Sequence, residues 1–500
     1  MNLWTNLLTG FSLVFQPQNL LATVLGQLIG VLVGMLPGIN ASMAVSVLLP
    51  LSFGLPPLTA LMLLAGIYMG AMYGGSITSI LMRVPGTSTA AVICLDGYEL
   101  TRQGRAGLAL GITAIGSFIA GTLSLIVLMS LSPTLAKAAL AFAPPEYFAL
   151  IFFGLLAIAG LEADGVVRGL ITGCFGLLLG TIGVDPVTGV SRFTFGRIEL
   201  LDGIDFVAVL IGLFAISQSL INLERVKPLE LYRGKLTGLL PRWREVKESL
   251  GAILRGSVLG TIVGILPGVG ATTASFLSYS LEARLARDKT KVGKGDLRCV
   301  AGPGSADNAA SGGALVPMLS LGIPGSETTA ILLAVLMIHG IQPGPLLYTK
   351  QASLVWGLIA SLWFANFLGF ALATAGVRPL TQILRLPMPV MSAFILVTGF
   401  VGAYAINNNI ADVWVALVFG VLGYIFRRIG LPLSPLILGL VLGPLAEKSF
   451  RQSMALSRGD PTIFFHRPIS AALLSLGLAS VIIPVFWGLW KRIQARRKKS

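Results

Sequence analysis

Charged side chains are scarce in this chain of 500 residues. Asp, Glu, Lys and Arg make up 11% of the sequence, and none of them occurs before Arg83. Because about a quarter of the residues of a water-soluble domain are charged, this composition excludes an ordinary soluble enzyme. Hydrophobic residues make up 55% of the chain, and the mean hydropathy is +0.85. Both values are typical of an integral membrane protein.

Residues that hold metals or act as nucleophiles are also few. The chain has three cysteines and two histidines, and they form no metal-binding spacing and no Ser-His-Asp arrangement. No Gly-x4-Gly-Lys-[Ser/Thr] phosphate loop is found in the sequence, which argues against direct drive by ATP. We therefore predict a protein that is not an enzyme and that needs no cofactor.

Long runs without charge predict membrane-spanning helices. These runs cover 106–136, 256–281, 352–377, 386–411 and 468–490, and a helix of about 20 residues crosses the hydrocarbon core. The runs are continuously apolar, whereas the strands of a barrel alternate between apolar and polar residues. The sequence therefore predicts an all-α polytopic membrane protein with roughly a dozen transmembrane segments.

The sequence contains the same unusual string twice. A Gly-x3-Gly-x2-Pro-Gly pattern recurs 230 positions later, from Gly30 to Gly260. The matching positions are Gly30, Val33, Gly34, Leu36, Pro37, Gly38 and Ala41, and then Gly260, Val263, Gly264, Leu266, Pro267, Gly268 and Ala271. Further on, Gly74-Gly75 resembles Gly312-Gly313, and Pro85-Gly86-Thr87 resembles Pro324-Gly325-Ser326. Duplicated apolar segments interrupted by Gly and Pro indicate the substrate site of a secondary transporter.

Basic residues divide the chain. The formal net charge is +15, and much of it lies at the edges of apolar segments, where it favours a membrane surface over nucleic acid. We predict a first membrane repeat over 1–222, a basic cytoplasmic connector over 223–250, a second repeat over 251–490 and a basic cytoplasmic tail over 491–500.

The segment 251–281 lies between two basic loops, 223–250 and 282–299. If both loops are cytoplasmic, the segment must enter the membrane and return, with Pro267-Gly268 at its turn. A continuous kinked span is the alternative. The equivalent segment 26–53 is followed by the uncharged turn 53–57, so we expect the two repeats to be inverted relative to each other.

Several motifs in their order resemble the large membrane subunit of tripartite tricarboxylate transporters, the TctA family. They are the duplicated string, Tyr73-Gly74-Gly75-Ser76-Ile77-Thr78, Pro85-Gly86-Thr87, Asp96-Gly97-Tyr98 and Gly322-Ile323-Pro324-Gly325-Ser326. The resemblance implies import of a carboxylate across a bacterial inner membrane, driven by an ion gradient. It also implies two partners, a small membrane subunit of the TctB type and a periplasmic binding protein of the TctC type.

The four Pro-Gly breaks, called tips 1 to 4, are Pro37-Gly38, Pro85-Gly86, Pro267-Gly268 and Pro324-Gly325. Broken helices expose backbone N–H groups at positive helix ends, where a carboxylate can bind. Close packing of helices is the competing explanation for the glycines. The predicted substrate-binding residues are Pro37, Gly38, Asn40, Ser42, Arg83, Gly86, Thr87, Ser88, Gly268, Thr272, Thr273, Gly325, Ser326 and Thr328.

Polar residues near the tips suggest a coupling ion. The candidate ligands for Na⁺ are Gly75, Ser76, Asp307, Asn308 and Ser311, while Asp307 alone can carry a proton instead. The family pattern has a glutamate near position 304 and an asparagine at 307, where this chain has Gly304 and Asp307. Two interpretations of Arg83 remain open: contact with a carboxylate, or neutralisation by Glu327.

Two other functions compete with symport. An anion channel would give flux without coupling to a second ion. An intramembrane enzyme acting on a lipid-linked anion would need an acid–base pair, for which Asp307 and His339 are the only candidates.

Overall fold

A computed structural model describes residues 3–161, 165–185, 188–224, 236, 238–286, 288–382 and 388–497. Outside these ranges lie Arg225, Lys227, Arg233 and Lys235 of the predicted connector, Arg287 of the basic loop and positions 498–500 of the predicted tail. The helices of the first half are α1 (Leu3–Val14), α2 (Pro17–Met35), α3 (Ala41–Leu48), α4 (Pro57–Met82), α5 (Ile93–Arg102), α6 (Ala106–Ala139), α7 (Pro144–Leu161), α8 (Val166–Leu179), α9 (Phe206–Leu210) and α10 (Ser217–Glu224).

The helices of the second half follow in the same way. They are α11 (Trp243–Ile265), α12 (Gly270–Leu285), α13 (Arg298–Leu321), α14 (Glu327–Ile338), α15 (Leu347–Lys350), α16 (Ala352–Thr374), α17 (Val377–Leu380), α18 (Met388–Asn407), α19 (Ile410–Arg428), α20 (Ser434–Leu456), α21 (Ile463–His466) and α22 (Pro468–Arg497). Short 3₁₀ segments cover Leu49–Gly54, Ser88–Ala90, Ile198–Leu200 and Lys289–Lys291, and Ile211–Ile216 is π-helical. Two short antiparallel strands, β1 (Gly183–Val184) and β2 (Ser191–Arg192), complete the described structure.

The all-α polytopic membrane architecture is confirmed. Among the described residues, eight helices are long and apolar enough to cross a membrane, and six shorter apolar helices have 10–17 residues. These fourteen helices compare with the roughly a dozen spans and part-spans that the sequence predicts.

The helices pack as two groups, each drawn from both halves of the chain. The core group contains α1–α6 and α11–α16, in which α2 packs along α4 and α11 along α13, while α6 and α16 join these pairs. The flanking group contains two clusters beside the core group: α7, α8 and α20–α22, in which α7 packs on α22 and α20, and α9, α10, α18 and α19, in which α19 packs on Ile211–Ile216. The predicted repeats divide the chain in sequence. They do not coincide with the two packing groups, because each group contains helices of both repeats.

Glycine stripes join the paired helices of the core group. Gly26, Gly30 and Gly34 of α2 lie so close to α4 that an added Cβ would overlap the backbone oxygens of Leu63, Ile67 and Ala71. In the second half, Gly256, Gly260 and Gly264 of α11 meet the oxygens of Gly302, Ala306 and Ala310 in the same way. The internal duplication is thus present in three dimensions, and close packing explains these glycines.

The stripes also correct one sequence match. Gly74 packs on Val31 and Gly34, and the equivalent contacts, with Thr261 and Gly264, are made by Gly313. Gly74 therefore corresponds to Gly313, a displacement of 239 that also relates Pro85 to Pro324. The alignment of the Gly74-Gly75 doublet with Gly312-Gly313 is wrong by one residue, because doublet identity alone does not report which glycine faces the stripe.

Helices α11 and α12 form a hairpin that enters and returns. Their arms are joined by Arg255 and Glu282, whose Nη2 and Oε2 atoms are 2.7 Å apart. At the turn Gly268 has φ +77°, and its counterpart Gly38 has φ +78°, a conformation that favours glycine. A continuous kinked span is therefore excluded for this segment.

The two repeats have opposite orientations. At one end of the molecule, Gln103 Nε2 donates to Lys294 O at 2.8 Å, and Arg105 lies 3.9 Å from Glu245. We call this the connector end. At the other end, His339 Nε2 lies 3.3 Å from Leu55 O, directly after the first hairpin. The first hairpin therefore returns to the end opposite the one to which α11 and α12 return, as inverted repeats require.

The basic loop at the connector end is held by one carboxylate, that of the fully buried Asp96 in the first turn of α5. It accepts hydrogen bonds from the backbone N–H groups of Gly293, Gly295 and Asp296 at 2.8–3.1 Å. It also accepts one from the Tyr279 hydroxyl at 2.9 Å. Asp96 thereby joins α5 of the first repeat to α12 of the second.

We expect Asp96→Asn to loosen this loop. The amide keeps one acceptor and loses the other together with its charge, which costs about 3 kcal/mol of local stability. Hydrogen exchange of the amides at 290–297 should accelerate by about 100-fold, since 1.4 kcal/mol corresponds to about a factor of ten. Asp288→Asn is the control, because Asp288 contacts only exposed residues, Thr290 and Lys291. Unchanged exchange in Asp96→Asn would contradict the anchoring role.

Candidate functional site

Tips 1 and 3 are sharp turns that start new half-helices. Asn40 follows tip 1 and caps α3, because its Oδ1 accepts from Met43 N at 2.9 Å. Gly270 follows tip 3 and opens α12, whose N-cap residue Val269 provides no side-chain cap. Tip 1 rests on the flanking group, since Asn222 Nδ2 donates to Gly38 O at 3.0 Å. The local sequence dictates both turns: proline ends the first helix, and glycine supplies the positive φ.

Tips 2 and 4 fold back against the glycine stripes. Each begins in the left-handed region, at Arg83 with φ +55° and at its counterpart Gly322 with φ +74°. Gly86 then packs on Gly34 and Gly75, and Gly325 packs on Ala314. Ser326 caps α14 by accepting from Thr329 N at 3.2 Å. Glycine at tips 2 and 4 is therefore required by close approach to another backbone.

Residues that follow each of the four tips line one cavity of about 300 Å³. Of the predicted substrate-binding residues, those that line it are Asn40, Ser42, Thr87, Ser88, Gly268, Thr272, Thr273, Ser326 and Thr328. A larger vestibule of about 1040 Å³ lies beside it and is lined by the predicted residues Pro37, Gly38, Arg83 and Gly86. Gly325 lines neither space. We call these two spaces the inner cavity and the vestibule.

Hydroxyl groups cross between the repeats in a symmetric pattern. Ser42 Oγ lies 3.1 Å from Thr328 Oγ1 and donates to Glu327 Oε2 at 3.3 Å. The sequence counterparts of Ser42 and Glu327 are Thr272 and Ser88, whose hydroxyl oxygens also lie 3.3 Å apart. The pseudo-twofold axis that relates the repeats therefore passes through the inner cavity. Glu327 occupies the position that is equivalent to the hydroxyl residue Ser88.

Glu327 also reaches the flanking group. Its Oε1 accepts from Ser434 Oγ of α20 at 2.8 Å. No ion pair within 4 Å joins Glu327 to Arg83 among the described residues; instead the Arg83 guanidinium lies over the Tyr98 ring, 5.9 Å from its centroid. The neutralising pair, one of the two interpretations of Arg83, is absent from this part of the chain.

Asp307 and Tyr68 occupy equivalent positions on α13 and α4, displaced by 239 residues. Asp307 is fully buried, and its Oδ2 accepts from Thr89 Oγ1 at 2.9 Å. Its Oδ1 is buried without a hydrogen-bond partner among the described residues. The Tyr68 hydroxyl, in turn, lies 3.3 Å from Ser326 Oγ. Each group thus contacts hydroxyls beside the tips of the other repeat, but only Asp307 is a carboxylate, which is the better ligand for a proton or a metal cation.

The other candidate ion ligands divide into two sets. Gly75 packs on Thr87, whose hydroxyl lies 2.8 Å from that of Thr89. Gly75 is thus connected to Asp307 through these two threonines. Asn308 faces α6, where its Nδ2 donates to Ser117 Oγ at 2.8 Å, and Ser311 Oγ donates to Asn308 O at 2.7 Å. Two further oxygens, Ser76 Oγ and Asn308 Oδ1, are buried and unpartnered in the described structure.

The sequence did not indicate several residues that the fold brings to the site. Tyr68 and Ser434 line the inner cavity, while Asn222, Gln218 and Arg427 line the vestibule. The 239-residue displacement would have identified Tyr68 as the counterpart of Asp307. The flanking-group residues had no such signal, because no tip motif lies near them.

An apolar helical bundle with inverted repeats, whose broken helices surround a polar cavity, defines the chain as a membrane transporter. Residues 20–438 match the "Tripartite tricarboxylate transporter TctA family". The chain belongs to this family, as its motifs suggested, and is therefore a tricarboxylate transporter permease and not an enzyme.

Two similar proteins come from Agrobacterium vitis. One is described as "Uncharacterized 52.8 kDa protein in TAR-I ttuC' 3'region"; it is 42% identical over 499 residues, which cover 100% of this chain and 99% of the relative. The other is described as "Uncharacterized protein in TAR-II ttuC' 3'region"; it is 42% identical over 224 residues, which cover 45% of this chain and 93% of the relative.

Proposed function

We propose that the inner cavity binds a carboxylate substrate and that the protein imports it by symport with Na⁺ or H⁺. The observation that carries this proposal is that residues following each of the four tips line one cavity. Helix N-termini and hydroxyl groups are suited to an anion, because they supply hydrogen-bond donors and a positive dipole end. Among these helix ends, the N-terminus of α12 is the best suited to bind the anion, because no side chain caps its backbone N–H groups.

Glu327 lies at the edge of this anion site and must be held away from the substrate. Its Oε1 accepts from Ser434 of the flanking group and its Oε2 from Ser42 of the core group, so both oxygens are engaged by hydroxyl groups. A free carboxylate facing the cavity would repel the substrate. We infer that the hydrogen bonds from these two serines reduce the repulsion between Glu327 and an anionic substrate.

Asp307 is the proposed coupling residue. It lies one hydroxyl, that of Thr89, from the inner cavity, and no Lys or Arg lies within 4 Å of it among the described residues. A buried carboxylate without a cation is costly unless it takes up a proton or a metal cation. Binding of H⁺ or Na⁺ at Asp307 and binding of the anion at the tips then stabilise the same arrangement of the two repeats.

The assembly and orientation are proposals as well. As the large subunit, the chain would act with a TctB-type small subunit and a TctC-type periplasmic binding protein in a bacterial inner membrane. The connector end and the C-terminus would be cytoplasmic, because the basic loops lie there. The vestibule is lined by Asn222 and Arg427 near the ends of α10 and α19, so in this orientation it would open toward the cytoplasm.

Reconstituted uptake tests the function. Proteoliposomes containing this chain and its small subunit are given radiolabelled di- and tricarboxylates, with or without the binding protein, under Na⁺ or H⁺ gradients. Gradient-driven accumulation that requires the binding protein is the expected result, and the effective gradient identifies the coupling ion. Equilibration without accumulation would instead favour an anion channel.

The tips themselves are tested by Pro37→Ala and Pro267→Ala. Alanine restores a backbone donor and lets the first helix continue, removing a break worth about 3 kcal/mol. We expect both variants to insert in the membrane and to lose uptake. Pro133→Ala is the control, because Pro133 lies inside α6 and lines neither space. Normal uptake by both tip variants would eliminate the tip site.

A further inference from the structure

Arg427 lies in the last turn of α19 and lines the vestibule opposite the tips. Its Nη1 donates to Gln218 Oε1 at 2.5 Å. Its Nε is buried and has no hydrogen-bond partner within the described ranges. No carboxylate lies within 4 Å of it among the residues that the structure describes. Arg427 is therefore a partly buried cation with spare donor capacity.

The adjacent residue Arg428 behaves differently. It is exposed, forms an ion pair with Glu224, and donates to the Tyr424 hydroxyl at 3.3 Å. Arg428 is thus an ordinary interfacial arginine, which reaches the membrane surface and a surface partner. The same explanation does not apply to Arg427, because its side chain turns the other way, into the vestibule.

Glu327 is the acidic group whose charge acts on Arg427; it lines the same vestibule, and the two form no ion pair within 4 Å in the described structure. The flat guanidinium fork is well suited to a carboxylate, with which it forms two parallel hydrogen bonds. An anion in the vestibule would therefore supply the hydrogen-bond acceptor that Arg427 Nε lacks.

The charges of the vestibule favour such an anion. Arg83 and Arg427 line it together with a single acid, Glu327, and Glu327 is engaged by Ser42 and Ser434. The vestibule is adjacent to the inner cavity, because the two spaces share the lining residues Asn40, Thr87, Ser88, Glu327 and Ser434. A substrate bound at the tips therefore lies next to the space that Arg427 lines.

We propose that Arg427 binds a second carboxylate of the substrate, whose first carboxylate is held by the tips. The residue then selects di- and tricarboxylates over monocarboxylates. It also links the flanking group, which contributes Arg427, to the core group, which contributes the tips. This inference rests on the proposed function of the inner cavity and identifies the substrate class that the cavity and the vestibule accept together.

Protection of a vestibule cysteine tests this assignment. Ile221 lines the vestibule, so Ile221→Cys is introduced into a Cys174→Ala background, which removes the exposed native thiol. The full chain with its small subunit is alkylated with a polar thiol reagent in the presence of citrate, succinate or butyrate. The concentration of each acid that halves the labelling rate is then measured.

We expect citrate and succinate to protect the cysteine. Arg427→Gln should raise the half-protecting concentration at least tenfold for both acids, and Arg427→Lys should raise it less. Arg428→Gln, the matched control, should leave it unchanged, and butyrate should protect weakly and equally in every variant. Arg427→Lys retains the positive charge and therefore provides a second comparison should Arg427→Gln fail to fold.

Two results would overturn the inference, and they differ in whether the proposed function of the inner cavity also fails. If citrate protects both Arg427 variants as well as it protects the wild-type residue, Arg427 is not a substrate ligand, while the tip site stands. If no carboxylate protects the wild-type chain, although the cysteine is labelled, both the inference and the proposed function of the inner cavity are wrong.

Discussion

Asp307→Asn is expected to abolish gradient-driven accumulation of carboxylate while the exchange of labelled for unlabelled substrate continues. The asparagine side chain is nearly isosteric and still accepts from Thr89, so the hydrogen bond to the tip survives. It cannot bind a proton, and it attracts a cation much less strongly than a carboxylate. Coupling should therefore be lost, whereas the substrate site, which lies at the tips, is retained.

The measurement compares two assays on the same proteoliposomes. Accumulation under an imposed gradient should fall to the level without a gradient, and exchange should remain within about twofold of wild type. Asp412→Asn is the matched control, because Asp412 is also a buried aspartate but bonds to Asn407, remote from the tips. Retained accumulation in Asp307→Asn would remove Asp307 from coupling, and loss of exchange as well would assign it to the substrate site.

The tips were predictable from sequence because the chemistry of a helix break is local. Proline removes a backbone donor and glycine allows positive φ, so Pro267-Gly268 specifies a turn whatever surrounds it. The duplication added the register: once tip 1 and tip 3 were matched, the pairing of Ser42 with Thr272 followed from the same displacement. The opposite orientation of the repeats was also predictable, because the distribution of basic residues among the loops indicates which loops lie on the same side of the membrane.

The rest of the site depends on packing between distant segments. Ser434 and Arg427 reach the site only because α20 packs against α14, and because Ile211–Ile216 packs against both α3 and α19. No short motif records these contacts. Doublet identity likewise misled the alignment of Gly74, since register is set by the helix face that meets the glycine stripe. Tertiary packing of this kind is specified by many weak contacts, and a single sequence does not isolate them.

Gly34→Leu and Gly264→Leu are expected to prevent folding of the core group to a similar degree. In both cases the new side chain begins where a backbone oxygen already lies, that of Ala71 in the first repeat and that of Ala310 in the second. The backbone cannot yield as a flexible side chain would, so the paired helices must separate. Even Gly→Ala should cost about 1–3 kcal/mol at these positions. Size-exclusion chromatography of the detergent-extracted protein measures the folded fraction.

Gly54→Leu provides the comparison, because open space surrounds Gly54 and its φ is not positive. Its folded fraction should match wild type, whereas that of both stripe variants should fall severalfold. Folded Gly264→Leu protein would mean that α11 and α13 are not in backbone contact. A large difference between Gly34→Leu and Gly264→Leu would contradict the equivalence of the repeats, since the same displacement of 230 that relates the stripes also relates tips 1 and 3. The stripes therefore test the symmetry on which the inner cavity depends, without touching any residue that lines it.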